Sequence, residues 1–288
     1  GRISLSPMLT KKGKLYGDLT IACMDENEYM IFGSGAAQEM HRRWFENHLG
    51  KFDVKYKNRS DEFHGLAISG PKSRDVLQKV VREEVSNKNF KFRDSKRMYV
   101  AGVPAIVNRI SFTGELGYEI YVSPHYQLKL YEELTNAGKE FNIKPFGLRA
   151  LMSMRLEKNW GAWTLDYRPD FTAKETGLDT FINWDKEFIG KKFAKDDNSK
   201  NKLIPMIVET NEIDVTYNEA VLKNDKAIGY ITSGGFAHFV NKSIAFSYLD
   251  TQELNSGKGI QVEINGDLFN CSIIKEPLYD PSGQKMRS

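Results

Sequence analysis

Cysteine is scarce in this chain, with two in 288 residues, Cys23 and Cys271. They lie far apart in strand-like runs and read as buried free thiols rather than a disulfide framework. No Cys-x-x-Cys pair or Cys/His ligand spacing occurs. The five histidines (His41, His48, His64, His125 and His238) are scattered, so no metal site is expected. No apolar run approaches a membrane span, and no basic-then-apolar leader opens the chain. The formal charge is only +3, from 41 Lys and Arg against 38 Asp and Glu. Such a mixed surface argues against nucleic acid or an anionic membrane as partner. Initiator methionine is also missing, and Gly1 to Thr10 reads as the start of a trimmed product or of a piece of a longer polypeptide.

What is present is a hydrophobic content of 40%, enough for a large core divided over two or three domains. Strands are expected at Leu15 to Cys23 and Tyr29 to Phe32, with Asp25-Glu26-Asn27 as the turn between them. Gly33-Ser34-Gly35 then leads into a helix over Ala36 to Leu49, stopped by Gly50. Further strands are expected at Lys51 to Tyr56, Phe63 to Ser69, Met98 to Ala101, Ile106 to Ser111 and Glu119 to Val122. Helices are expected at Lys72 to Val80, Gln127 to Ala137 and Phe146 to Trp160. Short loops between alternating strands and helices argue for a layered α+β arrangement, of ferredoxin-like or similar split type. The polar, aromatic stretch Trp163 to Thr176 reads as a loop, Gly190-Lys191-Lys192 as a turn, and Asp196 to Asn201 as the best domain boundary. Beyond it, short strands separated by Lys223-Asn224-Asp225-Lys226 and Asn265-Gly266-Asp267 suit a small β-barrel or sandwich. The tail, Asp280 to Ser288, is expected to fray. The expected divisions are 1–145, 146–200 and 201–288.

Three groups of residues invite a chemical reading. Asp18 follows Gly17 inside the otherwise apolar run Leu15 to Ala22, where a carboxylate is costly unless paired. From pattern alone it is an edge-strand aspartate in solvent or bonded to backbone amides, or a carboxylate over a pocket. Phe112-Thr113-Gly114-Glu115-Leu116-Gly117-Tyr118-Glu119 holds two glycines and two acids four apart. It is a turn with exposed acids or part of a site. Arg149, Arg155 and Glu157 share one helix, where a salt bridge within the helix or between domains accounts for Arg155 as well as a ligand does. Tyr118, Trp160, Trp163 and Tyr167 add an aromatic group, as apt for a core as for the walls of a flat ligand.

The run Ser111 to Ile120, the later Arg155-Leu156-Glu157, the segment Met8 to Thr20 and the turn Ile231 to Phe236 resemble the folate-binding aminomethyltransferase family, the glycine-cleavage T-proteins. The spelling is closest to the tetrahydrofolate-binding C-terminal part of dimethylglycine and sarcosine dehydrogenases. The resemblance spans essentially the whole chain, with roughly the first 80 to 90 residues of the family domain missing. It implies an α+β folate-binding region incomplete at its N-terminus, with ferredoxin-like subdomains, a helical and loop segment completing it, and a C-terminal β-barrel. Asp18 matches the second of a frequently paired set of aspartates, with Gly17 in the first place. It is thereby implied as the catalytic carboxylate facing the pterin and the reacting amine. Glu119 is implied as the pterin contact, because one carboxylate accepts two adjacent N–H groups. Tyr118, Phe112, Arg155 and Trp163 are implied around the cofactor. Phe112 stands where family members commonly carry Tyr, and Glu115 and Glu157 read as organising residues.

The resemblance further implies one-carbon transfer, in which 5,10-methylenetetrahydrofolate forms from an iminium or formaldehyde equivalent released by N-methyl amine oxidation. FAD then belongs to a separate or missing dehydrogenase domain or subunit, which is the expected partner together with folate and a small methylamine-derived donor. The alternatives are a free-standing T-protein-like aminomethyltransferase or folate-dependent demethylase, and a non-catalytic folate-binding or assembly module. Whether this chain alone is an active enzyme, and whether it oligomerises, stays open. The expected location is cytoplasmic, or the mitochondrial matrix in a eukaryote.

Overall fold

The computed structural model describes residues 1–210, 213–256 and 259–288. Three antiparallel strands open the chain: β1 (Arg2–Leu9), β2 (Leu15–Asp25) and β3 (Glu28–Phe32), in that order. β1 is a strand that the sequence reading did not expect. Pro7 argues against a ladder, but β1 is the edge of its sheet, where a missing N–H costs nothing. The turn between β2 and β3 is fixed locally, the Glu26 amide donating to Asp25 Oδ1 at 2.8 Å. Helix α1 (Gln38–Leu49) then crosses the sheet, after a 3₁₀ turn at Gly35–Ala37.

The strand expected over Lys51 to Tyr56 does not form. Phe52, Val54 and Tyr56 alternate as a strand would, but no ladder partner reaches them, and Phe52 and Val54 stay 57% and 56% exposed. Alternation specifies a strand only where a neighbour buries one face.

The second sheet follows: β4 (His64–Ser69), helix α2 (Ser73–Val80), β5 (Ser95–Val100), β6 (Val103–Asn108), β7 (Gly117–Val122) and helix α3 (Gln127–Gly138). Its order is β4-β7-β6-β5, all antiparallel. Ala101 and Gly102, both at positive φ, turn β5 into β6, so Ala101 belongs to the turn. α2 and α3 cover one face, where Ile68, Leu77, Phe90, Val107, Ile120 and Leu130 form the largest core.

The opposite face of this sheet meets the first sheet. Ser95 Oγ on β5 lies 3.4 Å from Met24 Sδ on β2, and the Tyr121 ring on β7 lies 4.6 Å from the Phe32 ring on β3. Side chains alternate across a strand. Thr20 pairs with Phe32, so Asp18, Thr20 and Ala22 share the face of β2 that turns toward the second sheet, and Glu119 shares with Tyr121 the face of β7 that turns back.

Helix α4 (Leu148–Glu157) is shorter than expected, and Asn159 at φ 58 ends its path. Helix α5 (Ala173–Thr176) begins within the expected loop with a capping box, Thr172 and Glu175 bonding each other's amides. A further short helix, α6 (Lys191–Lys195), forms where a turn was expected. The segment before the barrel is pinned, since Thr172 Oγ1 donates to Asp197 and Ser199 Oγ to Glu175. The barrel is closed in the order β10-β11-β8-β13-β12-β9. Its strands are β8 (Asn201–Val208), β9 (Ala220–Lys223), β10 (Lys226–Ala237), β11 (Lys242–Asp250), β12 (Ile260–Ile264) and β13 (Asp267–Ile273). Asn224-Asp225 and Asn265-Gly266, all at positive φ, make the two tight hairpins. α4 packs on it through Leu156 against Ile244 and Phe246.

The tail does not fray. Asp280 accepts the Gln284 and Lys285 amides to start helix α7 (Gln284–Arg287), Met286 is buried, and Arg74 and Arg109 both donate to the Ser288 carbonyl. Asp280 also pairs with the buried Lys158 just after α4. Cys23 and Cys271 are both free, and only Cys271 is buried. Among the described residues no helix is long and apolar enough to cross a membrane, and no metal-binding cluster occurs.

Candidate functional site

Asp18 sits on the central strand of the first sheet, opposite Pro7 in register, on the face turned toward the second sheet. Burial raises its carboxyl pKa from 3.8 to about 6, and a bond from its own amide opposes the shift only in part. No cation contributes. Gly17 shows why the strand is built this way. A Cβ there would meet His41 Nε2 at 2.9 Å, so Gly17 admits the imidazole from α1 while Asp18 points to the other side. The buried His41 is held by the Tyr16 carbonyl at 2.9 Å, and burial lowers its pKa, keeping it neutral near pH 7.

Glu119 faces back from β7. Burial raises its carboxyl pKa, and the one opposing influence is the Tyr121 hydroxyl, which donates to Glu119 Oε2 at 2.7 Å. Asn108 is directly opposite Glu119 on β6. It is fully buried, its Oδ1 accepts from Ser95 Oγ at 2.7 Å, and its Nδ2 has no partner. A cavity of about 660 Å³ runs along β4, lined by Glu119, Ser111, Phe112 and Thr113, by Tyr118 and Ile143, and by Phe146 and Leu151. Phe112 stacks toward Trp160, ring centroids 6.2 Å apart at 24°.

The other expected residues are mostly enclosed by the protein, although Tyr118 also lines this cavity. Tyr118 is fully buried in the core beneath α2 and α3, near Phe90, on the opposite face of β7 from Glu119. Arg155 is enclosed too, with 1% of its side chain exposed, and is bonded to Asp166 Oδ2 at 2.5 Å, Ser233 Oγ at 2.6 Å and the Trp160 carbonyl at 2.9 Å. Asp166, wholly buried, also accepts from Thr232, Ser233 and the Ala162 amide. This is an ion pair between α4, its following loop and the barrel. Glu157 is tied to the barrel through the Phe239 amide at 2.8 Å. Arg149, largely exposed, reaches Asp214 at 2.6 Å. Trp163 stands against His41, centroids 5.8 Å apart, behind the strand that carries Asp18. Glu115 is half-buried at 3.9 Å from Lys285.

Of two tyrosines in this region, Tyr167 belongs to the aromatic group singled out in the sequence and Tyr121 was not anticipated. Tyr121 follows Glu119 by two along a strand, a spacing that puts both side chains on one face and was legible in principle. Tyr167 lies in the field of Asp18, which, after burial and beside Asp166, holds its phenol pKa above the usual range. Its hydroxyl accepts from the Gly161 amide at 3.2 Å, and a Cβ at Gly161 would stand 2.4 Å from its ring.

Two desolvated carboxylates on facing sheets, without a cation, are an arrangement that seeks hydrogen-bond donors or positive charge from a ligand. Comparison with known proteins gives a consistent picture. Residues 1–186 match the GCVT N-terminal domain, and residues 201–280 match the glycine cleavage T-protein C-terminal barrel domain. Human mitochondrial dimethylglycine dehydrogenase is 37% identical over 96% of this chain, which spans only 33% of that protein's length. The aminomethyltransferase of Caldanaerobacter subterraneus is 32% identical over 96% of this chain and 75% of its own. The glycine cleavage aminomethyltransferase T of Bartonella henselae superposes with a TM-score of 0.86, over 98% of this chain and 77% of that one, at 20% identity.

Proposed function

We propose a function for a chain that belongs to the glycine-cleavage T-protein family: it holds tetrahydrofolate between its two sheets for one-carbon transfer. The chain spans about a third of the length of the dimethylglycine dehydrogenases it matches. The activity of a whole protein of that kind is therefore part of this proposal. The observation that carries it is the pair Asp18 and Glu119 on facing sheets, two partly buried carboxyls with raised pKa and no cation among the causes of either shift.

The residues suit the cofactor. A pterin edge offers an amino group and a ring N–H side by side, and Glu119 is a partly buried acceptor in need of donors. Phe112 and Trp160 supply flat apolar surface beside the cavity that reaches Glu119. When bound, tetrahydrofolate supplies the nitrogens that carry the one-carbon unit as 5,10-methylenetetrahydrofolate. Asp18, with its carboxyl near pKa 6, holds cationic character on the donor amine and accepts or returns a proton at its carboxylate oxygen near neutral pH. The sheets orient the reactants and keep a formaldehyde equivalent from escaping. Arg155 acts through the scaffold by fixing the loop that bears Trp160 and Tyr167.

The one-carbon donor we assign is an iminium or formaldehyde equivalent from dimethylglycine- or sarcosine-type oxidation, delivered by a flavin-dependent domain or subunit. The higher identity to dimethylglycine dehydrogenase, 37% against 32%, favours this source over a lipoyl-borne aminomethyl group. Calorimetric titration with tetrahydrofolate tests the reading, on the chain as it stands and on Asp18→Ala and Glu119→Gln. We expect 1:1 binding, weakened at least tenfold by Glu119→Gln. Formaldehyde-dependent formation of methylenetetrahydrofolate should be lost in Asp18→Ala. Folded protein that binds no tetrahydrofolate would overturn the reading for this chain.

A further inference from the structure

Among the described residues Glu119 accepts from a single side-chain donor, and that donor is itself held from three sides. We propose that Tyr121 is a positioning residue for Glu119, its phenol bonding one lone pair of Oε2 so that the carboxylate is held with its remaining acceptor sites toward the ligand. The assignment of that ligand as tetrahydrofolate rests on the function proposed above. The geometry of the pair does not depend on it.

The two residues are i and i+2 on β7, and the Tyr121 hydroxyl donates to Glu119 Oε2 at 2.7 Å. Gly65 lies directly opposite Tyr121 on β4, and a Cβ there would meet the ring at 3.0 Å, so the missing side chain is the space the ring fills. From the facing sheet the Phe32 ring packs on it, centroids 4.6 Å apart and tilted by 35°. Phe32 pairs with Thr20, two residues beyond Asp18 on the same face of β2. Tyr121 therefore fixes Glu119 and couples its sheet to the one that carries Asp18.

The chemistry gives this contact a direction. Burial, with the Glu119 charge and bond, holds the Tyr121 phenol far above the usual tyrosine range, so it is a permanent donor. Its hydrogen bond favours the ionised form of Glu119 against the burial that disfavours it. Without the hydroxyl, Glu119 keeps its proton to higher pH and loses the acceptor that two ligand N–H groups need. Other charged groups do not take this role. Asp18 on the facing sheet is an acid, Arg97 on β5 pairs with Glu28, and His64 on β4 pairs with Gln127. No charged group contributes to the shift of Glu119.

Tyr121→Phe decides the matter in two measurements. The first is the pH titration of Glu119 in the ligand-free protein, followed by carboxyl ¹³C NMR with Glu119→Gln giving the assignment. The second is the Kd for tetrahydrofolate across the same pH range. We expect the Glu119 midpoint to rise by about one pH unit in Tyr121→Phe, as loss of a charge-assisted bond requires. The pH below which affinity falls should rise with it, with Kd about threefold weaker midway between the two midpoints, about tenfold weaker below both and unchanged above both. An unmoved NMR midpoint overturns the positioning role, and so does a Kd weakened by one factor at every pH, which is what general loosening produces. If the midpoint moves but neither protein binds tetrahydrofolate, the positioning of Glu119 stands and the folate reading fails.

Discussion

Two polar clusters in this molecule, one buried and one partly buried, differ in how their charges are met. At the junction of α4 with the barrel, Arg155 and Asp166 face each other, and Thr232, Ser233 and the Ala162 amide all donate to Asp166, while Arg155 Nε alone lacks a partner. Between the two sheets, Asp18 has no cation and Glu119 has only a phenol. In the first cluster the protein itself supplies the opposite charge, and the cluster is architecture. The second spends stability on groups the fold leaves unpaired, as sites built for a ligand do.

The strongest way to break this comparison is to remove Asp166. Asp166→Ala leaves the Arg155 guanidinium buried and uncompensated, and should destabilise the protein by about 3–5 kcal/mol. Urea denaturation measures it directly. A cost below about 1 kcal/mol would mean that water or a shifted side chain meets Arg155 as readily as Asp166 does, and the distinction between the clusters would collapse.

Asp18→Asn should act in the opposite sense. The native carboxyl has a pKa of about 6 against an ordinary 3.8, so the native state holds the proton more tightly than the unfolded state. The penalty is absent below about pH 4, grows as pH rises and is complete above about pH 6, where it amounts to about 3 kcal/mol. The substitution should therefore stabilise the protein at pH 8 by up to about that amount, leave it unchanged at pH 3.5, and abolish one-carbon transfer. Denaturation curves at the two pH values, with the transfer assay at pH 8, check both halves. A variant that is less stable at pH 8 would place Asp18 with Asp166, as a structural acid.

The aromatic link between the clusters is open to a finer cut. Tyr167 neighbours Asp166 in sequence and lies in the field of Asp18. Gly161→Ala introduces a Cβ at 2.4 Å from its ring. The overpacking should cost about 1–3 kcal/mol and lower the turnover rate of transfer more than it weakens folate binding, because Tyr167 feels the charge of Asp18 and not that of Glu119. Equal losses in both would show that the substitution disturbs the whole cleft.

These outcomes bear on what a sequence discloses. Asp18 is legible because a carboxylate in the run Leu15 to Ala22 is anomalous by itself. The barrel is legible because Asn-Asp and Asn-Gly turns punctuate it. β1 is obscured by Pro7, whose tolerance depends on an edge position that only the topology reveals. Lys51 to Tyr56 misleads in the reverse way, having the alternation of a strand without a neighbour. The tail is held by Lys158, Arg74 and Arg109, partners more than a hundred residues away. The fate of Arg155 hangs on Asp166 and Ser233, and nothing local says whether it meets them or a ligand. Tyr121 obeys a period of two with Glu119, yet its meaning depends on Gly65 and Phe32 from other strands.

The smallest expected effect tests the assignment of Tyr118. The resemblance places it beside the cofactor, whereas the fold sets its ring in the core with its hydroxyl buried and without a partner. A buried hydroxyl that donates to nothing carries its desolvation cost uncompensated, so Tyr118→Phe should be neutral or stabilising by about 1 kcal/mol. If Tyr118 belongs to the scaffold, tetrahydrofolate affinity should stay within twofold of the parent protein, in contrast with the pH-dependent loss in Tyr121→Phe. Denaturation and calorimetry on the same preparation separate the cases. A stability gain with unchanged Kd keeps the hydroxyl out of the site, whereas a weakened Kd at unchanged stability would mean that β7 turns its other face to the ligand when folate binds.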